Sequence, residues 1–314
     1  MNGTRAAGAA VTVAIVSPGG YAPDESVLQR ALSRLESQGC IVRNYYVHGE
    51  RHHRFGATDD ARVAQLHAAA RDPEIDVVIA LRGGYGMSRL LPRLDFRLLA
   101  RSGKRFVGHS DITALQMGLL CHGATSFAGP MICDDFTRED ASDFTMRHFW
   151  DCLTHAQCEV TGVVPEPLAD NPPADCRGTL WGGNLAMLTH LLGTPYLPDI
   201  EGGILFVEDV NEHPYRVERM LLQLLHGGVL GRQKALVLGD FANYRLSDYD
   251  NGYDFNAMLE WLRGEVPVPI ITGLPFGHVR DKATLAVGAA AHLQSDARGM
   301  RLGMHGYSFI GQRT

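Results

Sequence analysis

Short apolar stretches rich in Val, Ile and Leu alternate with helical stretches along the first half of this chain. Apolar runs cover residues 11–16, 75–81 and 104–110, and residues 59–71 between two of them have helical character. Strands that are apolar on both faces are typical of parallel sheets covered by helices. We therefore predict an α/β fold whose strands end along one edge, where such sheets bind ligands.

A change in composition divides the 314-residue chain. The segment 155–177 holds four prolines among polar residues, which is typical of a linker. We predict an N-terminal α/β domain over residues 1–154, an irregular linker over 155–177, and a C-terminal domain over 178–314. The length fits two domains of about 150 residues each.

The overall composition excludes several classes of protein. The formal net charge is -6, and the basic residues are scattered, which argues against a nucleic-acid surface. No run approaches the roughly 20 apolar residues of a membrane span. Six cysteines lack any C-x-x-C spacing, so we read them as free thiols in a reducing, cytoplasmic compartment. We expect no cofactor and no metal ion, because no nucleotide or metal-binding motif is present.

The N-terminus imitates a short signal peptide, because Arg5 precedes an apolar run over residues 6–16. The run is β-branched, however, and Ser17-Pro18-Gly19-Gly20 follows it before a helical stretch. This pattern favours a first core strand over a secretion signal.

A serine stands where one of these strands meets a helix. The apolar run ends at Ser110, and Ile112, Leu115 and Leu119 then follow with helical spacing. A serine on such a turn has an exposed hydroxyl beside the free N–H groups of the helix, which suit a developing oxyanion. The alternative is that Ser110 only caps the helix. The stretch departs from the G-x-S-x-G elbow of hydrolases, because Ile112 replaces the last glycine.

A glycine-rich turn follows the preceding strand, over Arg82-Gly83-Gly84-Tyr85-Gly86. Glycines allow a backbone N–H to approach a ligand closely, although a tight turn without a ligand is equally consistent. The turn and Ser110 should lie on the same edge of the sheet, because both follow parallel strands.

The second half supplies candidates for a base and a carboxylate. The apolar strand 203–207 leads into Glu208 and Asp209, and either acid needs a partner if it is buried. Arg216 or Arg219 could pair with Glu208. His278 ends an apolar strand-and-turn segment, where an imidazole faces either a cleft or the solvent. The residues alone do not choose among these alternatives.

Taken in order, five motifs resemble the LD-carboxypeptidase family of serine peptidases. The resemblance covers essentially the whole chain after a leader of about ten residues, and the motifs are R-G-G-Y-G at residues 82–86, G-H-S-D at 108–111, W-G-G-N at 181–184, E-D-V-N-E-H-P-Y-R at 208–216 and G-H at 277–278. Each motif is weak alone, and their joint order is specific.

The resemblance implies a catalytic triad of Ser110, His278 and Glu208. It also implies oxyanion donors at the backbone N–H groups of Gly84 and Asp111. The implied fold is an N-terminal α/β sandwich with a C-terminal β-rich domain of the swivelling β/β/α type, usually in a homodimer. The implied reaction releases D-Ala from the murein tetrapeptide L-Ala–D-Glu–meso-diaminopimelate–D-Ala, free or within a muropeptide, in peptidoglycan recycling.

Three alternatives accompany this prediction. A sister branch of the family inactivates microcin-type peptides and has a lysine where this chain has Glu212. An acid at Glu212 suits the ammonium of diaminopimelate, so we predict that Glu212 binds substrate. An esterase could use the same triad, and a binding module could keep the glycine turns, although such a module would not need all three triad residues.

Overall fold

Two β-sheets, with helices packed against them, make up the protein. The computed structural model describes residues 10–311, so the first nine residues, with Arg5 and the start of the apolar run at 6–16, lie outside it. The strands are β1 Thr12–Val16, β2 Ile41–Asn44, β3 Val77–Ala80, β4 Arg105–Gly108, β5 Ser126–Ala128, β6 Gln157–Val163, β7 Ala174–Asn184, β8 Ile204–Val210, β9 Ala235–Ala242, β10 Ile270–Ile271, β11 Leu285–Val287, β12 Ala290–Asp296 and β13 Gly299–His305.

Nine α-helices connect or cover the strands within the described residues. They are α1 Leu28–Ser37, α2 Asp59–Arg71, α3 Met87–Leu90, α4 Phe96–Arg101, α5 Thr113–Cys121, α6 Asp143–Thr154, α7 Leu185–Leu191, α8 Pro214–His226 and α9 Phe255–Glu265. None of the helices found between residues 10 and 311 is long and apolar enough to cross a membrane.

The first sheet has six strands in the order β11-β5-β4-β3-β1-β2. Strands β1 to β5 pair in parallel. The inner strands β1 and β3 are buried along their whole length, as expected where helices cover both faces, whereas the edge strand β2 is mostly exposed. The edge strand β11 comes from the last part of the chain and pairs antiparallel with β5, so that Leu285 lies opposite Ala128. The C-terminal segment is therefore built into the first sheet.

The second sheet has seven strands in the order β10-β9-β8-β7-β12-β13-β6. Strands β7 to β10 pair in parallel, whereas β12, β13 and β6 add an antiparallel extension. The predicted α/β fold, with a parallel N-terminal sheet and a β-rich C-terminal part, is thus confirmed.

The expectation of an irregular stretch over residues 155–177 is wrong in part. Residues 157–163 form β6, and β7 begins at Ala174. The four prolines lie between these strands, and the residues before them alternate between exposed and more buried positions, with Val160 fully buried. Period-two alternation is a strand signal that the proline-rich composition concealed. The bounds of the two domains stay a prediction.

The two sheets meet where β7 passes the start of α5. A Cβ atom added at Gly183 would lie 2.4 Å from Oγ1 of Thr113, and Gly183 has a φ of 143°. The backbone N–H of Asn184 then donates to the same hydroxyl oxygen at 3.0 Å. Only glycine leaves room for this approach, so the second glycine of the W-G-G-N motif has a packing role.

Replacing this glycine should destabilise the protein. We expect Gly183→Ala to lower the free energy of unfolding by about 1–3 kcal/mol, because it forces Thr113 away and strains the backbone. Urea unfolding followed by circular dichroism measures the change. Gly303→Ala is the matched control, since an added Cβ there meets nothing within 4 Å. Equal midpoints for the two variants would contradict this account of the sheet contact.

Candidate active site

Ser110 occupies a strained position immediately after β4. Its φ is 63°, in the left-handed region that residues other than glycine rarely adopt. One turn of 3-10 helix, Ser110–Ile112, leads from it into α5. The N-cap positions of this turn and of α5 are His109 and Ile112, so the alternative interpretation of Ser110 as the helix cap is wrong. Strain of this kind, held by the surrounding structure, is frequent at functional sites.

The glycine-rich turn packs directly against Ser110, as the sheet-edge argument predicts. A Cβ atom added at Gly83 would lie 2.9 Å from Cβ and 3.0 Å from Oγ of Ser110. Gly84 is the next residue, so its backbone lies beside the serine. The predicted oxyanion donors, at Gly84 and Asp111, therefore both belong to segments that border the Ser110 side chain.

The carboxylate of Asp111 connects these two segments. Its Oδ2 accepts a hydrogen bond of 2.7 Å from the backbone N–H of Met87, at the start of α3. Burial raises the pKa of the Asp111 carboxyl to about 6, although hydrogen bonds from Met87 and Gly86 oppose the shift. The sequence indicated only a backbone role for Asp111, and the structure adds this side-chain contact.

Glu208 and His278 form a buried hydrogen-bonded pair. Nδ1 of His278 lies 2.7 Å from Oε2 of Glu208, whose side chain is 0% exposed. Burial lowers the pKa of His278, but the hydrogen bond and the negative charge of Glu208 outweigh it, so the pKa lies above its ordinary value. This contact excludes the alternative in which Glu208 pairs with Arg216 or Arg219.

Asn184 orients the carboxylates at the end of β8. Its side-chain amide donates to Oε1 of Glu208 at 3.2 Å and to Oδ1 of Asp209 at 3.0 Å. Asp209 also accepts from the N–H of Ala186 at 2.9 Å, in the first turn of α7. Burial raises the pKa of Asp209 to about 6. Asp209 therefore accepts a hydrogen bond at the start of α7, whereas Glu208 accepts one from His278.

Contacts through the residues flanking Ser110 bring the serine and the pair together. The rings of His109 and His278 meet edge to face, with centroids 5.1 Å apart. His109 is fully buried, and its Nδ1 lies 2.9 Å from the carbonyl oxygen of Gly129. Thr113, three residues beyond Ser110, accepts the N–H of Asn184. The residues flanking Ser110 thus contact His278 and Asn184, and both of these residues hydrogen-bond Glu208.

Sequence reasoning missed His109, Thr113 and Asn184 as parts of this site. His109 directly precedes Ser110, and its ring contacts the ring of His278. Asn184 ends the W-G-G-N motif at the carboxyl end of a strand, which was an available signal.

Glu212 follows the end of β8 and has an ion-pair partner of its own. Its Oε2 is 3.7 Å from Nη1 of Arg216, four residues later, and the two side chains are 26% and 51% exposed. This ion pair is the structural alternative to a substrate contact. The role of Glu212 in binding substrate stays a prediction.

Over residues 10–311, no cluster of three or more His, Cys, Asp or Glu side chains could hold a metal ion. The arrangement instead combines a hydroxyl on a strained turn with a histidine and a buried carboxylate, which can support nucleophilic catalysis.

Comparisons with known proteins point to one family. The family described as "LD-carboxypeptidase N-terminal domain" matches residues 13–129, and "LD-carboxypeptidase C-terminal domain" matches residues 177–293. A Bacillus subtilis protein named "Probable murein peptide carboxypeptidase" is 32% identical over 285 residues, which is 90% of this chain and 89% of that protein.

Two solved structures extend this similarity. The crystal structure of muramoyltetrapeptide carboxypeptidase from Oxalobacter formigenes is 57% identical, with a TM-score of 0.90 over 95% of this chain and 100% of that one. The microcin C7 self-immunity protein MccF has a TM-score of 0.84 over 96% of this chain and 98% of its own, at 21% identity. At that identity the second likeness concerns the fold alone.

The pKa of His278 offers a direct test of the buried pair. We expect Glu208→Gln to lower this pKa, because the charge that opposes the effect of burial is removed. NMR titration of the histidine ring signals measures the shift. Asp175→Asn is the control, since Asp175 pairs with the distant His292. A His278 pKa that is the same in Glu208→Gln and in the wild type would contradict the pairing.

Proposed function

The chain belongs to the LD-carboxypeptidase family and is a carboxypeptidase, and we propose that it releases the terminal D-Ala of murein tetrapeptide through a Ser-His-Glu triad. The observation that carries this proposal is the hydrogen bond of 2.7 Å between His278 and the buried Glu208, beside the strained turn of Ser110. The substrate follows from the names of the relatives, whose activity is on murein peptides.

The proposed first step is attack by Oγ of Ser110 on the carbonyl carbon of the third residue. Since Nδ1 of His278 bonds Glu208, Nε2 is free to take the hydroxyl proton. The substrate carbonyl oxygen then carries a negative charge, which the N–H groups of Gly84 and Asp111 would stabilise. Glu208 holds the imidazole in this orientation and stabilises its protonated form.

The intermediate collapses when His278 returns the proton to the amine of the leaving D-Ala. An ester between Ser110 and the remaining tripeptide is left. A water molecule then attacks the carbonyl carbon of this ester, and His278 takes a proton from that water. When the second intermediate collapses, His278 gives the proton to Oγ of Ser110, which restores the hydroxyl and frees the tripeptide. These steps need only the protein's own side chains and water.

Within this proposal Glu212 contacts the ammonium of diaminopimelate. An acid there suits the murein peptide better than a microcin-type substrate with an acidic residue before the scissile bond. The second candidate remains a peptidase of the microcin-immunity type, because MccF shares the fold of this chain. We found no feature that favours the esterase. A homodimer and a cytoplasmic location, which the family resemblance implies, are further parts of the proposal.

The nucleophile can be tested by substitution. We expect Ser110→Ala to reduce kcat by at least about 10³-fold while the protein stays folded, as removal of a triad member does. Mass spectrometry of D-Ala released from murein tetrapeptide measures the rate. Ser37→Ala, which changes an exposed serine at the end of α1, should keep wild-type activity. Near-normal release by a folded Ser110→Ala protein would rule out this nucleophile.

The role of Glu212 is tested against its ion pair with Arg216. A charged contact with substrate is worth roughly 1.5–3 kcal/mol, so Glu212→Gln should lower kcat/KM on the diaminopimelate peptide about ten- to a hundredfold. Glu212→Lys should lower it further and favour a matched peptide with aspartate before the scissile bond. Arg216→Gln is the control, because it removes the ion pair and leaves the carboxylate of Glu212 in place. If Arg216→Gln and Glu212→Gln have equal effects, Glu212 is structural.

A further inference from the structure

A cavity of about 770 Å³ lies beside the His278–Glu208 pair, on the C-terminal sheet. Its walls come from the end of β9, from β6 and the loop after it, and from the loop that carries His278. Phe276 and Val279, on either side of Gly277-His278, line it, as does Asp240. The cavity therefore adjoins the proposed catalytic histidine, although neither His278 nor Ser110 is among its lining residues.

The lining combines aromatic rings with carboxylates. The carboxylates are Glu166, Asp240 and Asp281, and the aromatic residues are Phe144, Phe241, Tyr244, Phe255 and Phe276. The lining residues include neither Lys nor Arg. Aromatic faces and carboxylates both attract cations, and the apolar walls suit an aliphatic chain. The cavity thus fits an organic cation with a hydrocarbon stem.

Among the acids of this lining, Asp240 packs against Gly277, the residue before His278. A Cβ added at Gly277 would lie 3.3 Å from Cβ of both Asp240 and Glu208. Oδ1 of Asp240 is buried and has no hydrogen-bond partner within residues 10–311. By contrast, Asp281 has Arg280 at 3.3 Å. Asp240 therefore has one oxygen without a hydrogen-bond partner and forms no ion pair with Lys or Arg among the described residues.

The electrostatics agree with this description. Burial raises the pKa of Asp240, and the negative charge of Glu208 raises it further, whereas His278 lowers it. Two carboxylates near each other at the edge of an apolar cavity are costly unless a positive charge reaches them. A ligand cation would supply that charge.

We propose that this cavity binds an alkylammonium group of the substrate, with Asp240 as its counter-ion and the aromatic side chains around its stem. The inference rests on the proposed function, since murein tetrapeptide carries two such groups. One is on the side chain of diaminopimelate, and the other is the N-terminal amine, which is free only when the sugar is absent. Glu212 is not part of this lining, so binding of the diaminopimelate ammonium here would exclude the role proposed for Glu212, whereas binding of the N-terminal amine would be compatible with it.

The test uses four tetrapeptides that differ only in these ammonium groups. The third residue is meso-diaminopimelate or 2-aminopimelate, which keeps the distal carboxylate without the amine, and the N-terminus is free or acetylated. Two comparisons result, one between diaminopimelate and 2-aminopimelate peptides and one between free and acetylated N-termini. In one of these two arms, wild-type kcat/KM should be about ten- to a hundredfold higher for the peptide that carries the ammonium. The arm that shows the preference identifies which ammonium binds.

Asp240→Asn should reduce that preference to near one. The ratio isolates binding, because an effect of the substitution on His278 would slow all four peptides alike. Tyr244→Leu, which removes one aromatic wall, should reduce the ratio by a smaller factor of roughly two to ten. Asp199→Asn, an exposed acid paired with Arg232, is the control and should keep the wild-type ratio.

Calorimetry makes the test independent of turnover. The peptides are titrated into Ser110→Ala and into Ser110→Ala/Asp240→Asn, and the ratio of Kd values with and without the ammonium is compared. An equal ratio in the two proteins, or a wild type that prefers neither ammonium, overturns the cavity assignment. Absence of D-Ala release from all four peptides would instead contradict the proposed function, and the Kd ratios would still decide what the cavity binds.

Discussion

The hydrogen bond between His278 and the buried carboxylate of Glu208 is the interaction on which the site depends. A carboxylate with no exposure to solvent is costly unless it is paired and hydrogen-bonded. His278 and the amide of Asn184 provide those partners, at 2.7 and 3.2 Å. The same bond raises the pKa of the imidazole and fixes which of its nitrogens is free. The hydrogen bonds that make burial of Glu208 tolerable are therefore the same ones that orient His278 for the proposed chemistry.

The site forms because elements of the two sheets are held together at several points. Thr113, in the helix after Ser110, accepts the N–H of Asn184, whose side chain bonds Glu208. In the segment that follows His278, Lys282 makes a buried ion pair of 2.8 Å with Asp135, and β11 then adds to the first sheet. Breaking a buried ion pair by removing one partner costs about 3–5 kcal/mol. These contacts make the relative position of serine and histidine a property of the whole fold.

Carboxylates dominate the electrostatics around the pair. Burial raises the pKa values of Asp111, Asp209 and Asp240, and each of the first two accepts backbone N–H groups at the start of a helix. Asp240 is different, because one of its oxygens has no hydrogen-bond partner among the described residues. The contrast separates two acids that accept N–H groups at helix starts from an acid that keeps an unsatisfied oxygen. In our proposal a cationic group of the substrate compensates this third acid.

The sequence determined the parallel sheet, the glycine turn beside Ser110 and the strand that delivers Glu208, because each follows from local periodicity and from the rule that parallel strands end on one edge. It could not choose between Glu208 and Asp209, since both follow the same apolar strand and either one needs a partner. The prolines that follow β6 made its segment look like a linker, and the sequence indicated no role for Asn184 or His109. Those assignments required the tertiary structure, because they depend on contacts between residues 24 to 169 positions apart, from Asn184 with Glu208 to His109 with His278. Local pattern specifies which face a side chain takes, whereas the packing of the two sheets decides what that side chain meets.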